Sequence, residues 1–253
     1  METIKEEQTK KPEQIKQPEQ KKVKEKEYIN LLNKEGAKKF LERISFPVYF
    51  LDFEAITNTK EWMYKNDLAI DQQISSFSIL RINSLKDDET KIKHYNTVGE
   101  KEDYAKMSKK LTDFYKDKNA TIIVWGQDLE LRSLAKLFRE SPEGSYKKLS
   151  YMISNILDLQ QLFYSGGFVK IEPKGKSSLD MVAKAFDVYL KTKIKDGKSA
   201  HYLLEHSVTN KDIRESHLDS IKKRLQDYNN ADIINMKRVL VSVINLLDKK
   251  END

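Results

Sequence analysis

Val48–Ile56 reads VYFLDFEAI, nine residues in which two carboxylates interrupt what is otherwise hydrocarbon. β-Branched and aromatic side chains of this kind predict a strand. Successive side chains on a strand point to opposite faces. Val48, Phe50, Asp52, Glu54 and Ile56 therefore share one face, and Tyr49, Leu51, Phe53 and Ala55 share the other. Apolar residues on both faces predict a strand covered on both sides. Two like charges side by side in such a place are costly, and a divalent cation is the usual relief.

On the N-terminal side, Pro47 sets up this strand, and Tyr28, Leu31, Leu32, Phe40, Leu41 and Ile44 predict a leading helix or two. On the C-terminal side, Ile74–Ile82 and Ile92–Tyr95 read as further strands. Glu100–Lys118 carries Tyr104, Met107, Leu111 and Phe114 at helical spacing. Thr121–Trp125 is a short buried strand, followed by a helix over Leu129–Phe138. ILDLQQLF (Ile156–Phe163) reads as a strand end running into a helix, with loops at Gly166–Gly167 and Pro173–Gly175. Ser177 or Ser178 caps a helix running to about Phe186, and KDGK (Lys195–Lys198) is a turn. The last strong element runs from Ser220 to about Leu247. Three early strands followed by alternating helix and strand predict an α/β fold with a mixed sheet flanked by helices.

The last helix holds a second anomaly. Leu225, Tyr228, Asp232, Met236, Val239, Leu240, Val243 and Leu247 follow the i, i+3, i+4, i+7 spacing of one face. Asp232 thus sits on the core-facing stripe, one turn after Tyr228. A buried Asp must be paired, hydrogen-bonded or bound to a cation. Between these elements, TIIVW runs into GQDLELRSL, which offers two more acids. Glu130 precedes Leu134 by four and shares its face; Asp128 has the look of an N-cap.

The other chemistry-bearing residues point less far. The histidines, His94, His201, His206 and His217, lack metal-ligand spacing and read as surface or core residues. Asp158 reads either as a support for such a site or, more simply, as a turn or capping residue. Trp125, Tyr164 and Phe168 are of the type that stacks on bases, though packing explains each of them as well. The glycines around Lys176 and Ser177 do not match G-x-x-x-x-G-K-[ST], which excludes that phosphate loop.

Composition bounds the remaining possibilities. Among 253 residues there is no cysteine, which excludes disulfides, thiolate zinc sites and a cysteine nucleophile, and suits a reducing compartment such as the cytoplasm. No apolar run approaches ~18 residues, so no membrane helix is expected. The charged N-terminus is not that of a secretory signal. The formal charge of +6 and pI near 9.0 fit a polyanionic partner. With 34% charged residues, a solvated lysine-rich surface fits them too. Residues 1–27 hold eight lysines, seven glutamates and almost nothing to bury, and are expected to be a disordered tail.

Taken together, Asp-x-Glu on an early strand, an acid at a strand-to-helix junction and YNNAD (Tyr228–Asp232) on a late helix resemble the DEDD family of 3′–5′ exonucleases. These form the proofreading branch of the ribonuclease H-like fold. Tyr-x-x-x-Asp resembles the tyrosine subclass; the histidine subclass would place His where Asp227 stands. GKSSLDMVAKAFDV (Gly175–Val188) is similar to the Ser-Leu-containing helix of such enzymes, and ILDLQQLF to their Asp-Leu segment. The run from YFLDFE through IKDGKSA to YNNADIINM resembles in particular a bacterial exonuclease-like domain of this superfamily.

The resemblance covers roughly residues 48–247, within a single domain over 28–250, and implies a ribonuclease H-like mixed sheet. It further implies that Asp52, Glu54, Glu130 and Asp232 hold two divalent ions, Mg²⁺ or Mn²⁺. Tyr228 would orient the attacking water, and the substrate would be DNA or RNA with single-stranded or frayed 3′ ends. Alignment on Leu134 puts Glu130 in the place of the third acid, with Asp128 as the alternative. Trp125-Gly126 stands where many members have an Asn, and Glu130 stands where the usual acid is Asp. These departures leave open a second reading, a nucleic-acid-binding module of the same fold with a weak or inactive site.

Overall fold

The computed structural model describes residues 28–57, 72–98, 103–141, 143–164, 167–172, 177–209 and 214–249. The expected tail over 1–27 lies outside the described residues, as do the whole Pro173–Gly175 loop and Gly166.

Five strands form the central sheet: β2 (Val48–Thr57), β3 (Gln72–Ile82), β4 (Lys93–Asn96), β5 (Thr121–Val124) and β6 (Ile156–Asp158). Their order across the sheet is β4-β3-β2-β5-β6. β3 runs antiparallel to both neighbours, whereas β2, β5 and β6 are parallel. A five-stranded mixed sheet whose second strand alone is reversed is the ribonuclease H-like arrangement. The acid-bearing strand is central, as its two apolar faces required.

Alternation along β2 builds the two cores. Tyr49, Leu51 and Phe53 pack on one side against α2 (Tyr104–Phe114), α3 (Gln127–Glu140) and α4 (Glu143–Ser154). Val48 and Phe50 pack on the other, against α5 (Leu179–Ala185) and the long α7 (Glu215–Lys249). A third cluster joins Ile56 to α6 (Gly197–Thr209) and the first half of α7. The apolar stripe read from the sequence is the buried face of α7, with Leu225, Met236, Val239, Leu240 and Val243 all fully buried. Among the described residues no helix is long and apolar enough to cross a membrane.

Several expectations are corrected. Tyr28–Leu31 is a strand, β1, not the start of a helix; only α1 (Lys34–Leu41) is helical. β1 pairs antiparallel with β7 (Val169–Glu172), a strand that the sequence did not signal. The spacing of Tyr28, Leu31 and Leu32 fits a helix, but a partner about 140 residues away supplies the backbone hydrogen bonds. α4 and α6 were missed as well. Lys195–Lys198, read as a turn, is in part the start of α6, which begins at Gly197.

Candidate metal and phosphodiester site

β2 carries Asp52 and Glu54 on the face that α7 covers. Their cross-strand partners on β3 are Ser78 and Ser76. These small side chains leave room above the sheet where larger ones would fill it. A register shift follows at Glu54/Ala55 and re-aims the strand end. From the other side α7 lowers Asp232 onto the same spot. One carboxylate oxygen from each of Asp52, Glu54 and Asp232 lies within 4.8 Å of the other two. The structure thus brings Asp232 to two acids that precede it by about 180 residues in sequence.

Glu130 stands close by but outside that group. It is only 2% exposed, its Oε2 has no hydrogen-bond partner, and its charge acts on both Asp52 and Glu54. Asp128 is exposed and does not line the cleft. Nor does it cap α3: the N-cap is Gly126, in the left-handed region at φ 77°, where only glycine is free of strain. The cap comes instead from Asp158, as its capping reading anticipated. Its carboxylate accepts from the amides of Gly126 (2.9 Å), Gln127 (3.4 Å) and Gln160 (3.0 Å). Asp158→Ala leaves these amides without their acceptor at the end of the helix that carries Glu130. It is expected to cost about 2 kcal/mol, or roughly 4–8 °C in Tm by thermal melting.

The electrostatics follow from crowding. Burial, then Glu54 and Glu130, holds the Asp52 carboxyl well above the usual carboxylate range; the amide of Asn229, donating to Oδ2 at 2.9 Å, works the other way. Burial, then Asp232 and Glu130, does the same to Glu54. Burial, then Asp52 and Asp180, raises Asp232, opposed by the hydroxyl of Tyr228. Glu130 is pushed up to about 8, mainly by burial. The Tyr228 phenol is raised far above its ordinary value by burial and then by Asp232, Glu54 and Asp52, so it stays protonated and can donate.

These groups line a cleft of about 600 Å³ that also takes in Asp180, Asp196, Arg132 and His201. Six carboxylates therefore face Arg132 and one histidine. The residues fit divalent cations: the donors are all oxygen, three are within one ion's reach of each other, and a fourth has a buried, unpartnered atom.

Several residues in or beside the cleft escaped the sequence reading, Arg132 and Asp196 among them. Asp180, in the first turn of α5 after Ser178, looks like an ordinary helix-start acid. Asn229 lies on the edge of the α7 stripe, and a buried Asn beside a buried Asp was the available signal. His201 was read with the other histidines, and no spacing marks it. Trp125 stacks on Phe163 at 5.6 Å and donates to the Ser177 carbonyl, and it also lines the cleft. Tyr164, by contrast, is 46% exposed.

A family model described as "Domain of unknown function (DUF2779)" matches residues 49–178. No curated protein matches the chain. Among solved structures, the EXO domain of Nibbler from Aedes aegypti is similar at 10% identity and a TM-score of 0.38, over 87% of this chain and 93% of that one.

Proposed function

The chain belongs to the DUF2779 family, whose description names no activity, and from the site itself we propose that it is a metal-dependent 3′–5′ exonuclease acting on single-stranded or frayed DNA or RNA. The observation that carries the proposal is the gathering of Asp52, Glu54 and Asp232 within 4.8 Å in a cleft with so few cations. The direction of attack and the tyrosine subclass come from the Asp-x-Glu and YNNAD resemblance.

In this reading Asp52, Glu54 and Asp232, with Glu130 beside them, hold two divalent ions, Mg²⁺ or Mn²⁺. When bound, such ions activate a water and stabilise the departing 3′ oxygen. The protein's own groups do the rest. Tyr228, its hydroxyl bonded to Asp232, would orient the water beside it; with its proton held this tightly it is no general base. A Cβ on Gly197 would lie 3.7 Å from that hydroxyl, so the start of α6 walls the water's side of the cleft. Arg132 and His201 line the same cleft, and in this reading they would meet the negative charge of the scissile phosphate. Asn229 holds Asp52 in one orientation.

One observation favours a second reading, a binding module with a weak site. Glu130, the proposed fourth ligand, is not among the oxygens that share common reach. The two readings part in one experiment. A 5′-labelled single-stranded oligonucleotide with Mn²⁺ is expected to give a ladder shortening from the 3′ end, absent in EDTA. Binding without any metal-stimulated product would establish the second reading instead.

A further inference from the structure

The cleft sets a problem for its own substrate. A nucleic-acid strand is a polyanion, and the proposed ions compensate the carboxylates only where the scissile phosphate lies. Affinity for the rest of the backbone has to come from a neighbouring surface.

Two other depressions among the described residues carry cations on their walls. The larger, about 770 Å³, sits beneath the start of β2 and mixes Arg81, Lys91, Lys93 and Lys116 with Asp87, Asp88 and Asp113. Arg81 there is already paired with Asp117 at 2.8 Å. Like the smaller one, it shares no lining residue with the carboxylate cleft. The smaller, about 490 Å³, lies between α1 and the turn Leu159–Phe163. Lys39 and Arg43 line it, and no carboxylate does. Phe40, Tyr164 and Phe168 supply aromatic surface, with the Arg43 guanidinium over the Phe40 ring at 5.5 Å. The wall is close-packed: a Cβ on Gly36 would stand 2.5 Å from the Phe168 ring.

This groove connects to the cleft through one pair of side chains. Gln160 lines the cleft and Tyr164, one turn later, lines the groove. Their side chains meet, Tyr164 donating to Gln160 Oε1 at 3.0 Å, while Gln160 Nε2 donates to the Ser177 carbonyl at 2.7 Å. An exposed ring held by its hydroxyl at the junction of an acidic cleft and a cationic groove is a stacking platform.

Resting on the nuclease reading, we infer that this groove seats the single strand upstream of its 3′ end, with phosphates on Lys39 and Arg43 and a base on Tyr164. The cleft then receives only the terminal nucleotides.

The test is binding of a fluorescein-labelled twelve-residue oligothymidylate to the full chain by anisotropy, in EDTA so that no turnover occurs. K39E/R43E is expected to weaken binding at least tenfold. It also lowers the slope of log K against log salt by about 1.4, two contacts at roughly 0.7 each. K91E/K93E, the same charge change at the other depression, is expected to stay within twofold of wild type. Tyr164→Ser is expected to weaken binding about tenfold and Tyr164→Phe much less, because the ring and not the hydroxyl meets the base. Equal losses from both charge-reversed pairs, or none from K39E/R43E, or no binding by the wild type, would overturn the groove. If the K39E/R43E loss appears while no metal-stimulated cleavage is found, the groove stands and the hydrolytic reading falls.

Discussion

Stripped of divalent ions by EDTA, the protein is expected to melt lower at pH 8 than at pH 5, and Glu130→Gln to remove a large part of that difference. Asp52, Glu54, Glu130 and Asp232 all have their carboxyls raised in the folded state. A raised group contributes its full stability below its unfolded pKa, because folded and unfolded states are then equally protonated. That contribution is lost as pH climbs through the folded value, because the unfolded chain ionises freely while the folded one must ionise among like charges. For Glu130 the window runs from 4.5 to about 8. Its width corresponds to up to about 5 kcal/mol at the upper end. Glu130→Gln keeps the shape and removes the charge, so the variant should melt above wild type at pH 8 and level with it near pH 4.5. Saturating Mn²⁺ should lift wild type at pH 8 by roughly 5–10 °C, since about 2.7 kcal/mol follows from a ligand at a hundred times its Kd. A wild-type Tm that is flat or rising between pH 5 and 8 in EDTA, with no response to Mn²⁺, would refute the cation site.

Asp52→Asn should cost about 10³-fold in metal-stimulated cleavage of a single-stranded oligonucleotide while raising the Tm of the metal-free protein. The two effects have one cause. Asp52 lies beside Glu54 and near Glu130 in a cleft with few cations. Removing its charge relieves repulsion when no ion is bound and removes a ligand when one is. About 4 kcal/mol of lost transition-state stabilisation gives the thousandfold. Asn is nearly isosteric, so packing around Asn229 and Ser78 is kept. Cleavage within tenfold of wild type would dismiss Asp52 as a ligand. A lower metal-free Tm would show that the carboxylate is instead a stabilising structural group.

The legible parts of the molecule were those whose patterns conflict with themselves. VYFLDFEAI predicted a central strand because its two faces were apolar, and the misfit of Asp52 and Glu54 marked the site. On α7 the stripe from Leu225 to Leu247 placed Asp232 inward, and it is inward. Spacing from Leu134 put Glu130 first and left Asp128 as the alternative; the one is buried in the cleft wall and the other faces solvent. Illegible were features whose partners are remote. β1 is four residues long and owes its existence to β7. Asp180 and His201 carry no local mark; α5 and α6 bring them to the cleft only after both helices have docked. Tyr164 was open to either reading because exposure belongs to the packed molecule.

From its order of residues alone, this polypeptide settles which stretches can be buried and which acids must go with them, because side-chain periodicity and the cost of burying charge act locally. Packing settled the rest. The 4.8 Å meeting of Asp52, Glu54 and Asp232 requires α7 to lie across β2, and the Gln160–Tyr164 link between cleft and groove requires the turn after β6 to fold beside α1. Distances between segments this far apart depend on how the whole core closes, and no local pattern carries them.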